Sequence, residues 1–422
     1  MTFDTAISGI SAATSELSVI GNNVANSSTA GFKASRAEFA DVYATSVLGV
    51  SSKAIGSGVT LAAVTQEFAQ GNINFTSNSL DLAINGDGFF VLSDDGAQSF
   101  TRAGNFQVDE RGFIVSNTGS QLQVYQADNS GNVSGQLGSV QLETALIDPN
   151  GTTDVDVTLN LDSRETAPIV PFGGPFDAFA VTPTAPDTSS FNASSSTTIY
   201  DGLGNPHTLD TYYVRTAAAN EWDVYTLIDG VSQPATPTTF TFQSNGQFAA
   251  VDLPAQHAIT GWVPLDSTGV ANGAAAQDLV VDFSSGTQFG TSFGVSSLAQ
   301  DGFSAGQLSG INVDDTGVIF ARYTNGQSRA LGQVALAGFN STAGLQPAGN
   351  TSWLETFASG PATIGEPGTA GLGVVQSGAL EDSNVEITEE LVAMIIAQRN
   401  FQAAAQVIQT ADTVTQTIIN IR

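Results

Sequence analysis

The sequence predicts a mainly β protein with terminal α-helices, the N- and C-terminal helices forming a coiled-coil-like domain. Three observations predict it. Apolar residues recur in steps of three and four at the two ends, whereas the interior alternates apolar and polar residues between Asn-Gly and Asp-Gly turns. Eleven of the 14 prolines fall between Pro149 and Pro264, which marks a middle region of different texture. The expected layers are a terminal helical domain (1–25 plus 384–422), a connector (26–70 plus 362–383), a discontinuous β domain (71–141 plus 306–361) and an inserted outer antiparallel β domain (142–305).

The first helix rests on Phe3, Ile7, Ile10, Thr14, Leu17, Gly21 and Val24, a 3.5-residue seam with polar or small interruptions at Thr14 and Gly21. Asn22, Asn23, Asn26 and Gly31 end it, because Asn and Gly favour turns and left-handed backbone. Residues 32–70 are mixed, and the Ser- and Gly-rich stretch 49–58 reads as a flexible connector. From residue 71 a β pattern begins. Leu80, Leu82 and Ile84 precede Asn85-Gly86-Asp87-Gly88, and Phe89, Phe90, Val91 and Leu92 follow it, which predicts a hairpin. A second turn is expected at Asp109-Glu110-Arg111-Gly112.

In the middle region, alternation at Val155-Val157-Leu159-Leu161, Leu209–Tyr213 and Val224–Ile228 predicts strands, and Asn245-Gly246 predicts a turn after Phe240 and Phe242. The first β domain resumes at Ile311 and Val313, turns at 314–317 and again at Asn325-Gly326, and continues through Leu331, Val334, Leu336 and Phe339. Residues 340–378 are Gly-rich and loosely patterned. The last helix opens at Thr388 with Glu389 and Glu390, acids well placed against the positive end of its dipole. Its seam is Ile387, Leu391, Met394, Gln398, Phe401, Ala405, Ile408, Asp412, Thr415 and Ile419. Neither seam has an assured partner in its own chain, so both helices are expected to lack order until something covers them.

Forty acidic against 11 basic residues give a net charge of −29, which disfavours nucleic acid and anionic membrane as partners. Without cysteine there are no disulfides or thiolate sites. The N-terminus shows no basic stretch followed by an apolar block, so no cleavable signal peptide is expected. The two histidines, His207 and His257, read as surface or turn residues with no nucleophile nearby. The acidic turns at 94–96, 128–132 and 314–317 lack the spacing of a calcium loop and read as β-turns whose side chains bond their own backbone. Phe89, Phe90, Phe100, Phe106 and Phe113 read as strand core. Arg399 stands as a basic residue amid apolar neighbours, poised to pair with an acid across a helix interface or to face solvent. No catalytic residue, cofactor or metal is expected, and the chain does not read as an enzyme.

Several segments resemble one family. Asn22-Asn23-Val24-Ala25-Asn26-Ser27-Ser28-Thr29-Ala30-Gly31-Phe32-Lys33 is similar to the N-terminal signature of bacterial flagellar rod and hook proteins. Ser377-Gly378-Ala379-Leu380-Glu381-Asp382-Ser383-Asn384-Val385 and Ala397-Gln398-Arg399-Asn400-Phe401-Gln402-Ala403 resemble the C-terminal one. Ile84-Asn85-Gly86-Asp87-Gly88-Phe89-Phe90 and Thr101-Arg102-Ala103-Gly104-Asn105-Phe106 resemble the shared core domain. The large insertion, with Ala321-Arg322-Tyr323-Thr324-Asn325-Gly326-Gln327 and Ala335-Leu336-Ala337-Gly338-Phe339, resembles the hook branch. Ala404 departs from the Asn frequent there.

The resemblance implies a subunit exported without a cleavable signal through the flagellar export apparatus. It would polymerise outside the cell into a curved, flexible tube that transmits torque from rod to filament. Its partners would be other copies of itself, the distal rod, the hook cap and the hook–filament junction proteins. Assembly would run through Phe3, Ile7, Ile10, Leu17, Val24, Ile387, Leu391, Met394, Phe401, Ile408 and Ile419. The alternatives are a distal rod protein of the same family, or a secreted β-rich adhesin or fibre-type binding module.

Overall fold

A computed structural model describes residues 2–43, 56–128, 131–142 and 146–420; most of the connector expected at 49–58 lies outside them. The chain divides into two compact units. One comprises Met1–Thr144, Ser309–Arg322 and Ser328–Arg422, the other Ala145–Leu308 with Tyr323–Gln327.

The first unit carries the helices α1 (Thr2–Ala25) and α2 (Ile387–Asn420). Contrary to the expectation of unpartnered seams, the helices pack on each other within one chain. The face that closes is also not the predicted one. In α1 the buried residues are Ala6, Ala13, Ile20 and Asn23, and in α2 Ala397. A methyl built on Gly9 would lie 3.6 Å from the Ala404 Cβ. Small residues let two helix axes come close, and the large seam residues are displaced to the flanks. The seam hydroxyls are self-contained, Thr14 donating to the Ile10 carbonyl and Thr415 to that of Ala411, both at 2.8 Å.

The long sheet of this unit runs, as neighbours, Leu308–Val313, Val318–Tyr323, Ser328–Val334, Gln121–Ala127, Phe89–Asp94, Ala97–Thr101, Ser352–Leu354 and Gln346–Gly349. Phe89–Asp94 is its pivot and is buried on both faces, which is why Phe89-Phe90-Val91-Leu92 is a continuous apolar run. Phe90 and Leu92 enter a core with Leu82, Ile84, Phe106 and Val334. Phe89 and Val91 enter another with Phe100, Ala335, Leu345 and Trp353. The aromatics read as core are buried, except Phe113, which is partly exposed beneath Arg111.

The turn at 109–112 joins paired strands, and so does that at Asn325-Gly326. The predicted hairpin at 85–88 does not form. Leu82–Asn85 pairs with Val374–Ser377, whereas Phe89–Asp94 pairs with Ala97–Thr101. The Asn-Gly-Asp-Gly segment instead docks on the returning chain, the Gly373 N–H donating to the Asp87 carbonyl at 2.7 Å. The loosely patterned stretch 340–378 holds four short strands.

The second unit has two sheets around one core. In one, Asp154–Asp162 is central; in the other, Pro206–Arg215 and Glu221–Ile228 are. Val155, Val157, Leu159 and Leu161 share that core with Ile199, Leu209, Tyr213 and Trp222 of the other sheet. The unit is not wholly antiparallel. One edge of Asp154–Asp162 pairs parallel with Gln277–Asp282 and then with Thr287–Phe289, and Gly294–Gln300 pairs antiparallel with the other edge. Both histidines lie inside, which corrects their reading as surface residues. His257 occupies an inward position of the alternating strand Gln256–Trp262, held between the Thr226 and Thr238 hydroxyls at 2.8 and 2.6 Å. Its loss of solvent lowers its pKa to about 4. His207 stands edge-on to Trp262, its Nδ1 2.6 Å from Asp229. Burial opposes its charge, but Asp229 and Asp201 outweigh that and lift its pKa above 6.5.

Candidate functional site

The helix pair is fastened to the β scaffold by a buried anchor, and the segments that build it are those that carry the family resemblance. Past the end of α1, Gly31 has a left-handed backbone (φ 70°), and a Cβ there would collide with the Ala103 backbone. Its N–H donates to the Glu381 carbonyl at 2.8 Å. Two residues later, Lys33 is fully buried and donates to Glu381 Oε1 at 2.6 Å and to the Ala69 carbonyl at 2.7 Å. The Gly71 N–H donates to the same carboxylate oxygen at 2.9 Å. Arg102 Nη1 reaches the other oxygen at 3.0 Å, and its Nη2 donates to the Gly86 carbonyl at 2.8 Å. Lys33, Gly71 and Arg102, scattered along the sequence, thus meet at the Glu381 carboxylate, with Gly31 and Gly86 bonded beside it.

Electrostatically, one buried anion holds two buried cations, and the Ala69 and Gly86 carbonyls accept one further bond each, while Arg102 Nε is buried without a partner among the described residues. Burial pushes the Lys33 ammonium below its ordinary 10.5 despite the pull of Glu381. Two amides extend the anchor toward the helices. Asn23 accepts from the Ser35 N–H at 2.9 Å and donates to Glu390 at 2.8 Å, which ties α1 to the first turn of α2. Asn384 accepts from the Ala34 N–H and donates to the Glu67 carbonyl, both at 2.7 Å. The stretches on either side of the helices are therefore pinned rather than loose.

Beyond the anchor, the helix pair leaves much apolar surface open. Of the predicted assembly residues, Phe3, Ile7, Ile387, Leu391, Phe401 and Ile419 are exposed, from 38% for Phe401 to 66% for Ile419. Ile10, Leu17, Val24, Met394 and Ile408 are half-buried beside the intrachain contact. A second stripe on α2 went unread in the sequence: Val392, Ile396, Arg399, Ala403, Val407, Thr410 and Val414, also in steps of three and four and all exposed. It lies across the helix from Ala397, the residue buried deepest in α2. The spacing was available, but Arg399 and Thr410 interrupt the stripe and concealed it. Arg399 itself is exposed.

The acidic turn at 314–317 is built as read from the sequence: Asp314 Oδ1 accepts from the N–H groups of Thr316 and Val318 at 3.0 and 2.9 Å.

The motif segments converge on an anchor, and comparison with known proteins explains why they travel together. Four family descriptions match in chain order: Flagella basal body rod protein over residues 3–33, Flagellar hook protein FlgE/F/G D1 domain over 83–160, Flagellar basal body protein FlaE D2 domain over 160–303, and Flagellar basal body rod FlgEFG protein C-terminal over 376–421. The Flagellar hook protein FlgE of Escherichia coli strain K12 is 36% identical, with all of both chains covered. The chain belongs to the flagellar hook protein family. The hook protein FlgE of Borreliella burgdorferi is 31% identical over 99% of this chain and 98% of that one. Among solved structures, the Helicobacter pylori flagellar hook protein FlgE2 matches with a TM-score of 0.52 at 14% identity, covering 72% of this chain and 99% of that one. That likeness shows a shared fold.

Proposed function

We propose that this hook-family chain is a structural subunit that self-polymerises into the curved, flexible flagellar hook, joining rod to filament and transmitting torque while it bends. The observation that carries the reading is the helix pair, folded and anchored in one chain yet open along Phe3, Ile7, Ile387, Leu391, Phe401 and Ile419. Large apolar side chains left exposed along a helix pair mark an interaction face. A second copy supplies matching surface, because the seams of α1 and α2 share one period. The half-buried Ile10, Leu17, Val24, Met394 and Ile408 would complete the seam. In this reading the helices give axial continuity, the first β unit holds them rigidly, and the inserted unit sets curvature and stiffness. Export through the flagellar apparatus, and contacts with the distal rod, the cap and the hook–filament junction, belong to the same proposal.

The test is electron microscopy of purified chain at raised concentration and salt. Curved tubes are expected; discrete globular oligomers would instead favour a binding module. A chain with most of residues 146–307 deleted should still polymerise, with altered curvature. If that chain stays folded and monomeric, the division of labour is wrong.

A further inference from the structure

A helix that is apolar on one side needs one partner; α2, besides its open seam, is apolar on two further sides. One side meets α1 through Ala397 and Ala404. The other carries the stripe Val392, Ile396, Ala403, Val407 and Val414, all exposed, with Arg399 among them. No ion pair to Arg399 occurs among the described residues of its own chain. A guanidinium inside an apolar stripe becomes costly once the stripe is covered, unless the covering surface brings a carboxylate.

The same molecule offers one. Nearer the N-terminus of α2, Glu16 of α1, Glu389 and Glu390 of α2 and Glu67 line a cleft of about 300 Å³ together with Val19, Ile20 and Ala393. Arg36 at its rim lies 3.6 Å from Glu67, and Glu390 is engaged by Asn23. Neither Glu16 nor Glu389 forms an ion pair among the described residues; Arg36 pairs with Glu38 and Glu67. Arg399 cannot serve them in its own chain, because ten residues of helix separate it from Glu389 by ~15 Å.

We infer that the outward stripe of α2 packs against a second copy of this chain and that Arg399 enters the acidic cleft of that copy, pairing with Glu389 and Glu16. The pair acts as a register pin. Apolar stripes of uniform period slide past one another by whole heptads at little cost, and one buried charge with one matching site removes that freedom. A stagger between neighbouring α2 helices follows from the separation of Arg399 and Glu389. The inference rests on the self-assembly reading and adds to it the residue that sets alignment.

The experiment compares critical concentrations for polymerisation, by sedimentation, of the full chain and of Arg399→Glu, Arg399→Lys and Arg399→Glu/Glu389→Arg. Circular dichroism and thermal melting confirm that each monomer keeps the wild-type fold, as expected for exposed positions. Arg399→Glu should raise the critical concentration at least about tenfold, and the charge swap should recover most of that. Arg399→Lys should fall between. An Arg399→Glu chain that polymerises as wild type does would overturn the inference, and so would a charge swap no better than the single variant. A wild-type chain that never polymerises would instead sink the self-assembly reading.

Discussion

The β units and the helix pair treat apolar residues in opposite ways. In the second unit, every inward side chain of Asp154–Asp162 finds the facing sheet, and Val155, Val157, Leu159 and Leu161 are sealed from water. In α2, of comparable apolar content, only Ala397 among the described side chains is sealed, while Val392, Ile395, Ile396, Val407 and Val414 stay exposed. The anchor that fastens the helix pair within the first unit belongs to the closed kind: Lys33 and Glu381 have no solvent contact at all. The contrast separates what a single chain finishes from what it leaves for others. A closed core fixes its own geometry, and an open helix face keeps its energy in reserve for association.

The largest test of this contrast is at the anchor. Glu381→Ala leaves Lys33 and Arg102 buried without their anion, and the first unit should lose about 3–5 kcal/mol in denaturant unfolding. A loss below about 1 kcal/mol would mean that the anchor is not closed. Next comes acid. With the His257 pKa held at about 4 against 6.5 unfolded, the unfolded chain binds the proton first as pH falls. The second unit should therefore lose on the order of 3 kcal/mol between pH 6.5 and 4. His207, with its pKa raised, contributes stability that is complete below pH 6.5 and lost as pH rises through its folded value. Thermal melting across pH should show both limbs, and His257→Gln should flatten the acid one.

Smaller again is Ala397→Leu. Overpacking the close face of the helix pair should cost about 1–3 kcal/mol and expose α1 to protease. The smallest effect is expected at Ile395→Ser, within about 0.5 kcal/mol in the monomer, because half of that side chain is already in water. Should Ile395→Ser destabilise the monomer as much as Ala397→Leu does, the open face is not open.

The ends and most turns of this architecture were legible in the sequence, because helical period and Asp-Gly or Asn-Gly turns are local signals. What escaped notice was non-local. The segment at 85–88 has hairpin chemistry, yet its first strand is claimed by Val374–Ser377, almost three hundred residues later in the chain. The parallel pairing of Asp154–Asp162 depends in the same way on a distant strand. His257 looked exposed because a neighbouring proline suggested a turn; the alternation of its strand decides its burial. The anchor was present as motifs but not as a site, since nothing local says that Lys33, Arg102 and Glu381 share one pocket. On the helices the period was right and the face was not: close approach through Ala6, Ala13 and Gly9 displaced the bulky seam.

The link between Lys33 and Glu381 spans 348 positions. While the chain is being made, the ammonium has no counter-ion until all but the last forty or so residues exist, and α1 has no helix to lean on until the final ones emerge. Loop closure over such a span is slow and comes late. The two ends therefore order last, after the β segments that lie between them in the chain.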